Sequence, residues 1–200
     1  MCQESVTQAD TSPCCTYCKE LLPYLDLEQA PQIPNAEKIV AAFAHEGSAQ
    51  LLMSRFKFSR DFRAGMTLSD ALCNTLLKHY QDQPSPQQVI PTPISTQNYL
   101  QRGFNQSAFI AHYLARQLHL EYNPLVFKRK HRKPQRLQSR AARLKLPGNT
   151  FAVVKPPASD HVAIVDDVIT TGRTAEALVK KLIQAGVARV DVWCVNYTLP

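Results

Sequence analysis

Four apolar residues, Val162 to Val165, run without a break into Asp166 and Asp167. A turn bearing Thr and Gly follows, and then Ala175, Leu178, Val179, Leu182 and Ile183 recur at helical spacing. That order predicts a buried strand, a polar turn and an amphipathic helix. RVDVWCV continues it with another strand, LVF and TFAVV are further candidates, and VIPTPIS reads as a short buried strand stopped by prolines. Phe104, Ala108, Ala111, Ala115 and Leu118 put RGFNQSAFIAHYLARQLHL on one amphipathic helix, with Arg102 and Gly103 at its N-terminal end. Upstream, Ser48 is placed to cap a helix through Phe56, and Leu68, Leu72, Leu76 and Leu77 share the face of a second helix from about Gly65 to Tyr80. KIVAAFAHEG favours helix by propensity but is short and closes on Gly47, so the pattern leaves helix and strand both open. Alternation of strands and helices predicts an α/β fold with a mostly parallel sheet.

Residues 1–35 depart from this pattern. They are rich in Cys, Pro and polar residues without a long periodic segment, which predicts a small module and linker ahead of a main domain over 36–200. Two hundred residues, 44% of them hydrophobic, are enough for one globular core and such an appendage. The 23 Lys and Arg against 16 Asp and Glu, a net charge of +7, favour anionic partners. No run approaches the roughly 20 apolar residues that cross a bilayer. MCQESVTQAD lacks the basic start and apolar segment of a signal peptide, so the expected compartment is the cytoplasm, without membrane insertion. In that reducing setting Cys2, Cys14, Cys15 and Cys18 read as metal ligands, and Cys73 and Cys194, in apolar surroundings, as buried core.

The chemistry concentrates in VAIVDDVITTGRT. Ligands of open α/β sheets bind beyond the carboxyl ends of the strands, where Asp166 and Asp167 fall if Val162–Val165 is the strand. Two carboxylates there can accept hydrogen bonds from vicinal sugar hydroxyls. The backbone N–H groups of Thr170, Thr171, Gly172, Arg173 and Thr174, at the mouth of the next helix, suit a phosphate. Gly172 permits a close backbone approach that a Cβ would block. The two halves address two ends of one ligand, a sugar phosphate. The Gly-Lys-Ser/Thr ending of a P-loop is missing.

This motif has the form found in type I phosphoribosyltransferases, where it holds 5-phosphoribosyl-1-pyrophosphate (PRPP). VIPTPIS, QRGFNQ, the basic stretch with Gln135 and Arg140, NTF at Asn149–Phe151, KFSR at Lys57–Arg60 and the N-terminal cysteines followed by LLP occur in an order that resembles the ComF/GntX family of phosphoribosyltransferase-like proteins. The resemblance implies a type I phosphoribosyltransferase-like parallel sheet flanked by helices, a zinc-ribbon-like N-terminal module with Zn²⁺, a PRPP site using Mg²⁺, and association with competence and DNA uptake or utilization. It favours a strand for KIVAAFAH. It names no acceptor for a transfer, so an enzyme and a non-catalytic PRPP-regulated binder of single-stranded nucleic acid are both compatible with it, as is a nucleobase salvage transferase.

Displacement at the ribose anomeric carbon needs pyrophosphate charge neutralised and the ribose held. Pro91, Thr92 and Pro93, with Arg102 from the next helix, are the pyrophosphate-loop candidates, and Lys57 and Arg60 are weaker ones. Between Glu121 and Asp160 no acid occurs, while nine Lys and Arg fall between Lys128 and Lys145. Lys128, Lys130, Arg132 and Gln135 are candidates for a mobile loop closing over PRPP, or for tracking a nucleic-acid backbone, possible partners being single-stranded DNA and the uptake machinery. A plain solvated face competes with both. Only Tyr122 and Phe127 lie nearby as stacking aromatics. Where the family tends to place Arg and then Asn near the end of this loop, the chain has Lys145, Leu146 and Pro147. Cys15-Thr-Tyr-Cys18 has the spacing for one tetrahedral zinc, which needs four ligands. Two routes supply the rest: Cys2 as the remnant of an earlier pair begun before Met1, or Cys14.

Overall fold

The computed structural model describes residues 21–25, 32–129 and 150–199. Cys2, Cys14, Cys15, Cys18, Lys130, Arg132 and Gln135 lie outside the described residues.

Strand β1 (Ile39–Ala44) is followed by helices α1 (Gly47–Ser59) and α2 (Phe62–His79), strand β2 (Gln88–Pro91), and helices α3 (Thr96–Arg102) and α4 (Gln106–Gln117). Then come β3 (Glu121–Tyr122), β4 (Phe127–Arg129), β5 (Phe151–Val153), β6 (His161–Ile169), α5 (Arg173–Gln184) and β7 (Arg189–Tyr197). The main sheet runs β1-β7-β6-β2-β3 with every neighbouring pair parallel. Val, Ile and Ala fill both faces of β6 and β7 because helices cover both sides, as a parallel sheet requires. One core lies between the sheet and α1, α2 and α4, and includes Phe43, Phe56, Leu72, Ile110 and Trp193. The other joins the opposite face to α5 through Ile164, Leu178, Leu182 and Val192. Cys73 and Cys194 are buried as expected. Leu22 and Ile33 also sink into these two cores, one each.

KIVAAFA is a strand. Its apolar residues pair with β7 in the register Val40 to Trp193 and Phe43 to Asn196, and tertiary pairing overrides helix propensity. Several boundaries differ from expectation. The cap position of α1 is Glu46, which makes no capping bond; Ser48 sits inside the helix and its Oγ donates to the Leu21 carbonyl at 3.1 Å. Helix α2 starts three residues before Gly65, because Asp61 accepts the Ala64 N–H and so caps it. Leu77 and Ile183 fall on exposed edges of their helices rather than in the core. The expected single helix over RGFNQ is two: Gly103, at φ 83°, ends α3 in the left-handed region, and Asn105 caps α4 by accepting from the Ser107 N–H. Arg102 therefore closes one helix instead of opening the next. LVF and TFAVV contribute to a separate antiparallel hairpin of β4 and β5, not to the parallel sheet, and the short edge strand β3 was not foreseen. No helix among the described residues is long and apolar enough to cross a membrane.

Candidate functional site

Chain order and sheet order together create one crevice. From β2 the chain proceeds through α3 and α4 to β3 on one side; from β6 it proceeds through α5 to β7 on the other. Helices α4 and α5 lie on opposite faces, so β2 and β6 form the switch point at which such sheets bind ligands beyond their carboxyl ends. Pro91 pairs with Val165, and the Thr92 N–H donates to the Val165 carbonyl at 2.9 Å. The Pro91-Thr92-Pro93 turn thus stands beside Asp166 and Asp167.

The acids lie inside the end of β6 rather than beyond it. Val162 and Ile164 face the α5 core and Ala163 and Val165 the other, yet past the acids Val168 joins the second core and Ile169 the first. The alternation slips at Asp166 and Asp167. There the carboxylates take main-chain donors: the Asp167 N–H donates to Asp166 Oδ1 at 2.9 Å and the Val168 N–H to Asp167 Oδ1 at 2.7 Å. Asp166 is 8% exposed and accepts from Ser107 Oγ at 2.9 Å. Burial, followed by the charge of Asp167, pushes its carboxyl up to about 7, against the Ser107 and backbone hydrogen bonds that favour the anion. Asp167 instead pairs with Lys57 at 2.9 Å, both side chains 14% exposed.

Beyond β6 the turn Thr170-Thr171-Gly172 leads into α5. Gly172 is at φ 69° and occupies the cap position, where no side chain competes for the helix's first N–H groups. Thr170 to Thr174, with Asp166, line a pocket of about 50 Å³. Asp166 and the Thr170–Thr174 turn therefore border one opening.

No family model matches the chain. It is 30% identical over 169 residues to the DNA utilization protein YhgH of Escherichia coli O157:H7, covering 83% of this chain and 74% of that protein. It is 29% identical over 202 residues to competence protein F of Haemophilus influenzae, covering 96% and 88%, and 30% identical over 153 residues to competence protein ComFC of Streptococcus pneumoniae, covering 76% and 65%. The chain belongs to the ComF family of phosphoribosyltransferase-like proteins. Among solved structures, the purine phosphoribosyltransferase from Pyrococcus horikoshii aligns with 64% of this chain and 68% of its own at 18% identity and a TM-score of 0.38, too loosely to equate positions.

In this ComF-family chain the remaining candidates divide. Arg102 Nη1 donates to Gln106 Oε1 at 3.0 Å and its guanidinium lies over the Phe58 ring, 5.5 Å from the centroid. The Arg60 Nε donates to the Arg102 carbonyl, which ties the end of α1 to the end of α3. Thr92 is buried and its Oγ1 has no partner among the described residues, while its carbonyl accepts from Asn105. Lys128 points away from the core and is exposed. Arg129, which the sequence reading passed over, is half-buried over Phe151, and the nearby Asp166 charge opposes the desolvation that lowers its pKa. The i, i+2 spacing from buried Phe127 was the available signal. Lys57 deserved more weight too: it continues the buried stripe of Ala49 and Met53 at i+4, an unusual place for a lysine without a partner.

Proposed function

We propose that the protein binds PRPP with Mg²⁺ at the β2/β6 crevice and serves DNA uptake or utilization, a reading supported by relatives named for DNA utilization and for competence. The observation that carries this is the junction of Asp166 and Asp167 with the Thr170–Thr174 turn at one strand end. In this reading the two carboxylates hold the ribose hydroxyls, the N–H groups and hydroxyls of the turn hold the 5′-phosphate, and Thr92 turns to the pyrophosphate. The partnerless Thr92 hydroxyl supports that last assignment.

The residues fit Mg²⁺. Among the described residues no cluster of three or more His, Cys, Asp or Glu forms a cage, and Mg²⁺ ordinarily arrives on substrate phosphates with one or two carboxylates to meet it. The ion would be carried chiefly by the phosphates of PRPP, where it would neutralise pyrophosphate charge, and Asp166 and Asp167 would stay with the ribose hydroxyls. Zinc on Cys2, Cys14, Cys15 and Cys18 is a further part of the proposal, to be tested by metal analysis of the purified chain.

The test is thermal unfolding with and without PRPP and Mg²⁺. At about a hundredfold excess over Kd, a native-state ligand stabilises by about 2.7 kcal/mol, which raises the Tm of a chain this long by roughly 5–11 °C. Asp166→Ala with Asp167→Ala removes the shift. An unchanged wild-type Tm at millimolar PRPP refutes the assignment, and a screen of acceptors for PRPP-dependent pyrophosphate release separates transferase from binder.

A further inference from the structure

A second cavity, of about 470 Å³, opens beside the acids and is bounded by the start of α1 and by Lys57, Phe58 and Arg102. It is linked to the acids through Lys57, whose Nζ reaches Asp167 at 2.9 Å. No acid occurs among its lining residues. Lys57 is matched by Asp167, but Arg102 meets no carboxylate among the described residues: its Nη1 goes to neutral Gln106, and its Nε N–H is buried without an acceptor. His45 adds a polar ring to the same wall: burial and then Lys57 lower its pKa, and its Nδ1 lies 2.8 Å from Asn196 Nδ2. Gly47, first residue of the uncapped α1, is on the same wall.

The other wall is apolar. Phe58 is 61% exposed, and Arg102 lies across its ring. An exposed ring braced by a guanidinium gives a flat surface on which a second ring can stack. The cavity volume lies in the range of small-molecule sites, roughly 300–1,000 Å³.

We infer that this cavity binds an aromatic anion of mononucleotide size, its ring on Phe58 and its charge on Arg102 and the neighbouring N–H donors. That the ligand sits beside PRPP rests on the function proposed above; that the cavity takes an aromatic anion does not. The anion can belong to a nucleoside monophosphate or to a carboxylated base, which share this chemistry.

Equilibrium binding of thymidine 5′-monophosphate, thymidine, orotate and inorganic phosphate to the full chain tests it. We expect thymidine 5′-monophosphate or orotate to bind at least about tenfold tighter than thymidine and phosphate, and the better of the two identifies the source. Phe58→Ala, at an exposed position, weakens that binding roughly five- to 150-fold, the value of one base stack, and leaves the PRPP-induced rise in Tm unchanged. Arg102→Gln erases the preference for anion over nucleoside. The inference is overturned if phosphate alone binds as tightly, if Phe58→Ala binds like the wild type, or if none of the four binds while a longer single-stranded oligonucleotide does. A nucleotide that binds without any PRPP effect on Tm refutes the PRPP proposal alone; a PRPP effect without aromatic-anion binding refutes this one alone.

Discussion

Asp166 holds its proton more tightly in the folded chain than in water, from 3.8 up to about 7, because burial and Asp167 both oppose its charge. The folded state therefore binds more protons than the unfolded one between these values, and its contribution to stability falls as pH rises from about 4 through 7. Asp166→Asn keeps an acceptor for Ser107 and removes the buried charge. The variant is expected to melt higher than the wild type at pH 8 and close to it at pH 5, as measured by thermal unfolding. PRPP-induced stabilisation of the wild type should grow between pH 6 and 8, since ribose hydroxyls donate best to an ionised carboxylate. The pair of acids was legible in the sequence; their unequal environments were not, because Ser107 and Lys57 arrive from α4 and α1, segments distant along the chain.

Helix α2 crosses α1 at Gly65, where an added Cβ would fall 2.5 Å from the Phe56 ring. That ring is fully buried, its centroid 5.2 Å from those of the tilted Phe104 and Phe109 rings, so it has nowhere to retreat. Gly65→Ala is expected to lower unfolding stability by about 1–3 kcal/mol, read from the denaturant midpoint. Gly103 plays a different part: its left-handed backbone ends α3 and lets Asn105 start α4, which separates Arg102 from the helix it had been expected to open. The apolar repeat from Phe104 onward belongs to α4 and its flanks alone, since α3 buries no residue, and such a repeat does not mark where a helix begins. The β4–β5 hairpin was equally hidden, since short apolar runs do not declare whether they join a central sheet or pair with each other.

Across the molecule, the two ends of the sheet do different work. The carboxyl end carries the acids, the Thr170–Thr174 turn and the larger cavity. The amino end carries a buried polar chain in which Trp193 Nε1 donates to Tyr80 Oη at 3.0 Å, Tyr80 donates to Asp191, and His161 Nε2 lies 2.9 Å from the same carboxylate. Tyr80→Phe leaves the indole N–H without its acceptor and deprives Asp191 of a donor. It should cost about 1–3 kcal/mol in equilibrium unfolding while the rise in Tm produced by PRPP stays the same. A loss of that rise would mean that the two ends are coupled through β6 and β7.

The run VAIVDDVITTGRT and the order of strands and helices were enough to reach a parallel α/β sheet with two acids and a Thr-Gly turn at one strand end, since apolar periodicity and turn chemistry are local properties of the chain. Which residues share the crevice with that motif depended on the fold. Lys57, Ser107 and Arg129 come from three separate segments, and they reach the acids only because β2 and β6 pair at the switch point and α1, α4 and β4 close around it. Pairing of distant segments is set by how the two cores bury their area together, and no local window of sequence contains that information.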